Sequence, residues 1–188
     1  MKKTSMMAVG LAAMLAVSMA ACSTADSNKE NMAIGADSSQ SAASENTQIP
    51  NPWQEISSMQ DAQNLAGFTL TGPETLHEMP MDFMQVLPDE KEPVVEIRYD
   101  GEDDEYASIR KSTSKGDISG IYTQYADSKE LLVGENTVLA KGNGDAYELA
   151  NWSKGEYSYS LFVSGGVSQD ELLQIVAEVE QNERTKNQ

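Results

Sequence analysis

The sequence predicts an exported α+β domain built on an antiparallel meander sheet of about six strands. Between residues 95 and 163, short stretches of alternating apolar and polar residues recur, separated by turns rich in Gly, Asn and Asp. No helical pattern interrupts these stretches, as it would in a parallel α/β sheet. Amphipathic helical patterns precede and follow them. We therefore expect an N-terminal and a C-terminal helix packed on one face of the sheet.

The N-terminal helix is expected from about Ser57 to Leu65. Gly67 follows it, and glycine commonly ends a helix. The residues predicted to face inward recur at helical spacing: Met59, Ala62, Leu65 and Ala66.

The strands are predicted from period-two alternation. In the first of them, Val95, Ile97 and Tyr99 alternate with Glu96 and Arg98. Glycine-containing turns at 100–101, 115–116, 142–144 and 154–155 favour hairpins between consecutive strands. The expected strands are 95–99, 107–111, 118–126, 137–141, 145–152 and 156–163.

The C-terminal helix has the stronger start signal. Ser168 as N-cap and Glu171 three residues later form a capping box, and Gly165-Gly166 are expected to turn the chain from the last strand. We expect the folded part to end near Gln181, followed by a polar, frayed tail at 182–188. Its predicted inner face is Leu172, Ile175, Val176 and Val179.

The N-terminus predicts export. Lys2 and Lys3 precede an uncharged, largely apolar stretch that ends in small residues, the layout of a secretory signal peptide over residues 1–21. The segment at residues 19–22, Met-Ala-Ala-Cys, resembles the lipobox of bacterial lipoproteins, with Met at the usual Leu position. This resemblance implies that Cys22 carries a diacylglyceryl group and becomes the new N-terminus. The alternative is an ordinary signal cut nearby, with Cys22 a free thiol.

Composition separates a tether from a domain. Residues 22–52 are rich in Ser, Ala, Asn, Asp and Gln with few large apolar residues, so we expect a disordered polar tether. Residues 53–181 are expected to form a single α+β domain, since their length is typical of one domain. Because the chain has one cysteine, it can form no intramolecular disulfide or cysteine-based zinc cluster.

The charge excludes one class of partner. Without residues 1–21 the chain keeps 11 Lys and Arg against 30 Asp and Glu, a formal net charge of −19. Nucleic-acid binding depends on neutralising phosphates with Lys and Arg, so no nucleic acid is expected. The same charge disfavours electrostatic adhesion to anionic lipid. Such acidity favours solubility, although a basic partner remains compatible with it.

The sequence contains no recognisable catalytic motif. The one histidine, His77, lies in an irregular segment and has no neighbouring nucleophile motif. The acidic run at 100–105 lacks EF-hand spacing and is interpreted as a charged hairpin turn. Gly165-Gly166 come without a phosphate-loop lysine. We predict no catalytic residue, no cofactor and no metal site, and therefore no enzyme.

Aromatic residues are the remaining candidates for binding. Tyrosine and tryptophan are favoured in strands and also at binding surfaces, where a rigid amphipathic ring contributes contact area. The alternative is that they are half-buried sheet residues. The candidate partner-binding residues are Tyr122, Tyr125, Trp152, Tyr157 and Tyr159.

Four pieces of the chain carry a family resemblance: DAQNLAGFTLTGPETL at 61–76, VVEIRYD at 94–100, SGIY at 119–122 and ANWSKGEYSYSLFVSGGVSQDELLQIVAEV at 150–179. Their order resembles a domain family of unknown function in Gram-positive extracytoplasmic proteins. Members look like lipoproteins or outward-facing tails of membrane proteins, some with anti-sigma-type partners. The resemblance supplies no catalytic residues.

The leading functional hypothesis is a non-catalytic binding or sensing module, held outside the cell membrane by lipid on Cys22. Its partner would be an envelope protein, a peptide or a glycan. One alternative is a carrier of apolar ligands such as lipid, in a cavity between sheet and helices. A third is a hydrolase acting on cell-wall material, which requires convergent polar side chains in a cleft.

Overall fold

The computed structural model describes residues 50–186. The expected signal peptide, Cys22 and nearly all of the expected tether lie outside the described residues. Within them, nine strands and two helices form an open antiparallel sheet with helices packed against it. The α+β class is confirmed, with more strands than the six expected. No helix in the described part of the chain is long and apolar enough to span a membrane.

The elements follow one another without large insertions. Along the sheet, β1 pairs with β3, and the order continues β3-β4-β5-β9-β8-β7-β6, while β2 pairs only with β3. The bounds are β1 (Gln54–Ile56), α1 (Met59–Ala66), β2 (Thr75–Leu76), β3 (Met79–Leu87), β4 (Val94–Asp100), β5 (Tyr106–Ser112), β6 (Asp127–Val133), β7 (Asn136–Asn143), β8 (Ala146–Lys154), β9 (Tyr157–Val167) and α2 (Gln169–Lys186).

The sheet consists of two meanders rather than one. Strands β3 to β5 form the first and β6 to β9 the second, and β9 joins them by pairing with β5, with Ile109 opposite Leu161. Residues 113–126 connect β5 to β6, which lies at the far edge of the sheet. This crossover is the connection that period-two reasoning did not anticipate.

The strand predicted at 118–126 is wrong, because that segment forms no strand. Its backbone N–H groups bond to nearby side chains instead of to a neighbouring strand. The N–H of Ser119 donates to Asp117 Oδ1 at 3.1 Å, and that of Ile121 donates to Ser119 Oγ at 3.1 Å. Such local bonds compete with strand pairing. Tyr122 and Tyr125 therefore lie in a connection, not in the sheet.

The two faces of the sheet differ in chemistry, because successive strand residues point to opposite sides. One face, the helix face, buries apolar residues including Ile97, Ile109 and Leu161 against α2. The other, the loop face, buries polar residues: Glu96, Ser108, Ser112, Asn151, Ser158 and Ser160. Residues 113–126 lie over part of it, since Arg110 Nη1 donates to the backbone oxygen of Ser119 at 2.5 Å.

The N-terminal helix predicted to flank the sheet is not supported. The described domain begins with a strand, β1, and α1 is an eight-residue helix between β1 and β2. Ser58 caps it by accepting a hydrogen bond from the Asp61 N–H at 3.2 Å, and Gly67 ends it. Of the residues expected to face inward, Ala62 is buried, whereas Leu65 is 39% exposed. The helix is too short to cover the sheet.

The C-terminal helix matches its prediction on its inner face. Leu172, Ile175, Val176 and Val179 are all buried, and Ser168 Oγ accepts a hydrogen bond from the Glu171 N–H at 3.3 Å. Its end differs, because the helix continues to Lys186, through most of the segment expected to be a frayed tail.

Gly165 and Gly166 were expected to turn the chain between strand and helix, but they lie inside β9, each with φ of +74°. They sit where the β8–β9 register shifts: Tyr147 pairs with Val167, and the next pair is Leu149 with Phe162. Glycine adopts this left-handed conformation without steric cost, which allows an irregularity within one long strand.

Candidate functional site

The five aromatic candidates do not form one platform. Trp152 and Tyr159 are 3% exposed and, with Tyr157, lie on the helix face. Tyr122 is 95% exposed in the connection 113–126, and Tyr125 lies in the same connection. The structure thus brings together three of the five residues and separates the other two.

A pocket of about 460 Å³ opens where the β8–β9 turn meets the last turns of α2. We call it the tyrosine pocket. Its volume lies within the range of typical small-molecule sites, roughly 300–1,000 Å³. Its lining residues are Lys111, Lys154, Gly155, Glu156, Tyr157, Tyr159, Glu183 and Arg184.

The floor of the tyrosine pocket is a buried ion pair between Lys111 and Glu183, whose side chains are each 5% exposed. Lys111 Nζ also donates to the backbone oxygen of Thr69 at 2.8 Å. Glu183 Oε1 accepts from the Thr71 N–H at 2.7 Å, and Oε2 accepts from the Tyr159 hydroxyl at 3.1 Å. Buried charges are tolerated when paired and hydrogen-bonded in this way.

Aromatic rings surround the Lys111 ammonium. Its Nζ lies 4.5 Å from the centroid of the Tyr157 ring, 5.5 Å from that of Tyr159 and 5.7 Å from that of Phe68. A cation near a ring face is attracted by the ring quadrupole, most strongly where water is excluded. The three rings therefore stabilise the charge, and those of Tyr157 and Tyr159 form the apolar wall of the pocket.

A second buried acid, Glu180, lies behind this wall. Trp152 Nε1 donates to Glu180 Oε1 at 2.8 Å, and Lys154 forms an ion pair with the same carboxylate. The Trp152 and Tyr159 rings stack with centroids 5.3 Å apart and planes inclined by 11°. Trp152 thus holds Tyr159 in place and does not itself face the pocket opening.

Both pocket tyrosines keep their protons at neutral pH. Burial, followed by the negative charge of Glu183, raises the pKa of Tyr159 well above the usual tyrosine value. Burial and the charge of Glu156 also raise the pKa of Tyr157. The Tyr159 hydroxyl therefore keeps its proton in the hydrogen bond that it donates to Glu183 Oε2.

The pocket concentrates the scarce cations of an acidic chain. Lys111, Lys154 and Arg184 line it, and Lys115 Nζ reaches the backbone oxygen of Glu156 at 2.5 Å. The whole chain has 13 basic residues and a net charge of −17. The lining holds Lys111, Lys154 and Arg184 against Glu156 and Glu183, so it repels an anionic group less than the rest of this acidic surface does.

The other sequence candidates offer less. His77 lies in the β2–β3 turn, where its Nδ1 is 2.6 Å from Glu171 Oε1 of α2, and both side chains are 39% exposed. The acidic run 100–105 forms the β4–β5 turn, closed by the Gly101 N–H donating to the Glu105 backbone oxygen at 2.9 Å. Among residues 50–186, no group of three or more His, Cys, Asp or Glu is arranged to hold a metal ion.

Sequence reasoning singled out the aromatic members of the site but not its charges. Lys111 occupies an inward position two residues after Ile109, and Glu183 lies four residues after Val179 on the buried side of α2. The available signal was a charged residue at a position where the pattern calls for an apolar one, once in β5 and once in α2. The two residues have opposite charges, as the observed ion pair requires.

Comparison with known proteins gives one finding. A family model described as Domain of unknown function (DUF4367) matches residues 75–179, more than half of the chain. The expected resemblance to a domain family of unknown function is thereby confirmed. The match contains Lys111, Trp152, Tyr157 and Tyr159 and ends one residue before Glu180. No curated protein and no solved structure matches the chain.

Proposed function

The chain belongs to the DUF4367 family, and we propose that its domain is a non-catalytic binding or sensing module outside the cell membrane. The ligand occupies the tyrosine pocket. The observation that carries this proposal is the joining of an aromatic wall with an ionic floor in an open pocket of ligand size. The preferred ligand has an anionic group and a flat apolar part.

Binding is favoured over catalysis by the state of the charged groups. Lys111 and Glu183 are each engaged by the fold, and the raised pKa values of the two tyrosines keep those hydroxyls protonated. General acid–base chemistry works best with a group whose pKa lies near the working pH. The pocket residues instead form a fixed surface of donors, charges and rings.

We test the pocket with 1-anilinonaphthalene-8-sulfonate, an aromatic anion, and its uncharged parent, N-phenyl-1-naphthylamine. Replacing Tyr157 with leucine is expected to weaken sulfonate binding to the full chain about fivefold, since aromatic contacts contribute roughly 1 kcal/mol beyond area. Arg184→Gln is expected to weaken the sulfonate but not the neutral parent. Fluorescence titration measures both affinities.

The matched control is Tyr122→Leu, which removes an exposed tyrosine that does not line the pocket. It should leave both dyes unaffected. Equal sulfonate affinity in the wild type, Tyr157→Leu and Arg184→Gln would refute the tyrosine pocket as the binding site.

The proposal includes a lipid anchor at Cys22, with residues 22–52 as the tether that holds residues 53–181 away from the membrane. Two acyl chains anchor a protein stably because each buried methylene contributes about 0.8 kcal/mol. Radiolabelled lipid should enter the wild type and not Cys22→Ser when both are expressed in a bacterium. Equal labelling of the two would contradict the anchor.

The carrier of apolar ligands receives less support. The residues between α2 and the sheet are tightly buried, among them Leu161, Leu172 and Val176 at 0% exposure. A carrier needs a cavity between α2 and the sheet to hold its ligand. Tighter binding of the neutral dye than of the sulfonate would nevertheless favour the carrier over the module proposed above.

A further inference from the structure

A groove of about 660 Å³ lies where the start of the domain meets two connections of the sheet. Its walls come from residues 52–53, from the β3–β4 hairpin and from residues 113–126. We call it the Trp53 groove. It lies on the loop face, because its lining residue Arg110 pairs in register with Glu96 of that face. Its volume is within the range of ligand sites, roughly 300–1,000 Å³.

The walls of the Trp53 groove combine aromatic rings with proline rings. Trp53 and Tyr122 line it together with Pro52 and Pro88. Tyr122 is 95% exposed, so the protein itself covers little of its ring. Tryptophan and tyrosine at a surface offer a partner a flat apolar contact with a polar group at its edge. Grooves lined by aromatic rings are the surfaces on which proline-rich segments dock.

Both aromatic rings carry donors that the fold does not use. The Trp53 backbone N–H donates to Asn51 Oδ1 at 3.2 Å, but within the described part of the chain its ring N–H has no partner. That nitrogen is not one of the buried unpaired atoms, so a ligand can reach it. The Tyr122 hydroxyl is likewise unpaired there and exposed. A polyproline II segment makes no internal hydrogen bonds, so its carbonyl groups can accept from both donors.

Arg110 holds the groove in shape. Its guanidinium lies 5.1 Å from the centroid of the Trp53 ring and forms an ion pair with the buried carboxylate of Glu96. Its Nη1 donates to the backbone oxygen of Ser119 at 2.5 Å, which fixes the connection that carries Tyr122. Surfaces that are already ordered lose less freedom on binding. Because Glu96 neutralises it, the guanidinium does not make the groove attractive to an anion.

The remaining charges of the Trp53 groove are negative. Asp89 and Glu92 line it and are exposed, and a third lining acid, Asp117, is paired with Lys141. Asp89 Oδ1 accepts from the backbone N–H groups of Lys91 at 2.8 Å and Glu92 at 2.9 Å, and these bonds hold the pKa of that carboxyl below its usual value. The whole chain has a net charge of −17. The partner that matches this groove electrostatically is a cation.

We propose that the Trp53 groove binds a basic, proline-rich segment of another protein in the polyproline II conformation. Its prolyl rings pack on Trp53 and Tyr122, its carbonyl groups accept from their ring N–H and hydroxyl, and its Lys or Arg side chains pair with the exposed carboxylates. The site goes beyond the binding function proposed above, because Arg110 lines this groove while the next residue of β5, Lys111, points to the other face and lines the tyrosine pocket. The two sites can therefore be tested separately.

The test follows nuclear magnetic resonance signals of the full chain, labelled with ¹⁵N, during titration with a capped peptide of repeated Pro-Pro-Arg. The chain has two tryptophans, whose indole N–H signals report on different places. The Trp53 signal is expected to shift as the peptide binds. The Trp152 signal should stay in place, since that N–H donates to Glu180 Oε1 at 2.8 Å inside the domain.

Two matched peptides separate charge from conformation. Repeated Pro-Pro-Glu keeps the polyproline II backbone but reverses the charge, so it is expected to bind about tenfold more weakly or worse. Repeated Ala-Ala-Arg keeps the charge but lacks the prolyl rings and the preformed conformation, and its affinity is expected to fall by about tenfold as well.

Variants of exposed residues test the contacts without disturbing the fold. Tyr122→Leu is expected to weaken the Pro-Pro-Arg peptide about fivefold, because it removes an aromatic contact and a donor. Glu92→Gln should weaken it about threefold through the loss of an exposed ion pair. The matched control is Glu90→Gln, which removes the same charge from an exposed glutamate that does not line the groove and should leave the affinity unchanged.

Four results would overturn the proposal. The first is a Trp53 signal that does not respond to the Pro-Pro-Arg peptide. The second is equal affinity for either matched peptide, and the third is unchanged affinity in Tyr122→Leu. The fourth is a Trp53 signal that moves with protein concentration when no peptide is present, which would assign the groove to a second copy of this chain.

Discussion

Replacing Glu183 with glutamine is expected to lower the free energy of unfolding by about 3–5 kcal/mol, because it leaves the Lys111 ammonium buried without its counter-charge. Glutamine has nearly the same shape, so packing is preserved and the loss is electrostatic. The hydrogen bonds that Glu183 accepts from the Thr71 N–H and the Tyr159 hydroxyl weaken at the same time. Urea unfolding followed by tryptophan fluorescence measures the change.

Glu178→Gln is the matched control, since Glu178 is an exposed glutamate on the same helix. Its cost should stay below about 0.5 kcal/mol. The double replacement Lys111→Met with Glu183→Leu should recover only part of the stability. A buried ion pair is often no better than a well-packed apolar pair, but the Thr71 N–H and the Tyr159 hydroxyl lose their acceptor. A loss in Glu183→Gln no larger than in Glu178→Gln would contradict the buried pair.

The same pair explains why the site was only partly predictable. Glu183 and Lys111 are 72 residues apart in the chain. Their meeting depends on β5 pairing with β9 and on α2 crossing that pair, and neither follows from local periodicity. The tyrosines were found because strand propensity and aromatic enrichment are local properties.

The sequence predicted β4, β5 and β7 to β9 correctly, because in these strands both faces are buried or apolar and polar residues alternate cleanly. Four strands were not predicted: β1, β2, β3 and β6. The two long ones, β3 and β6, were missed for physical reasons. In β3, Pro80 lies near the start and the register shifts between Met81 and Phe83, which breaks the period of two. In β6, an edge strand, most residues are exposed, and Leu132 is 74% exposed, so the pattern of a buried face is weak.

Gly142→Ala is expected to destabilise the domain by about 3 kcal/mol, since overpacking a site closed by backbone forces the chain to shift. A Cβ atom at position 142 would lie 2.0 Å from the backbone oxygen of Ala146 and 2.7 Å from the Cα atom of Tyr147. Gly142 occupies the irregularity in β7–β8 pairing, where the register shifts after Lys141. Urea unfolding of the variant measures the cost.

Gly144→Ala provides the control two residues away. Gly144 has φ of +65° and nothing within 4 Å of an added Cβ, so alanine there meets only the left-handed backbone strain, about 1 kcal/mol. The excess cost at Gly142 therefore reports the close backbone approach. Equal destabilisation by the two alanines would mean that the hairpin lacks this tight register shift.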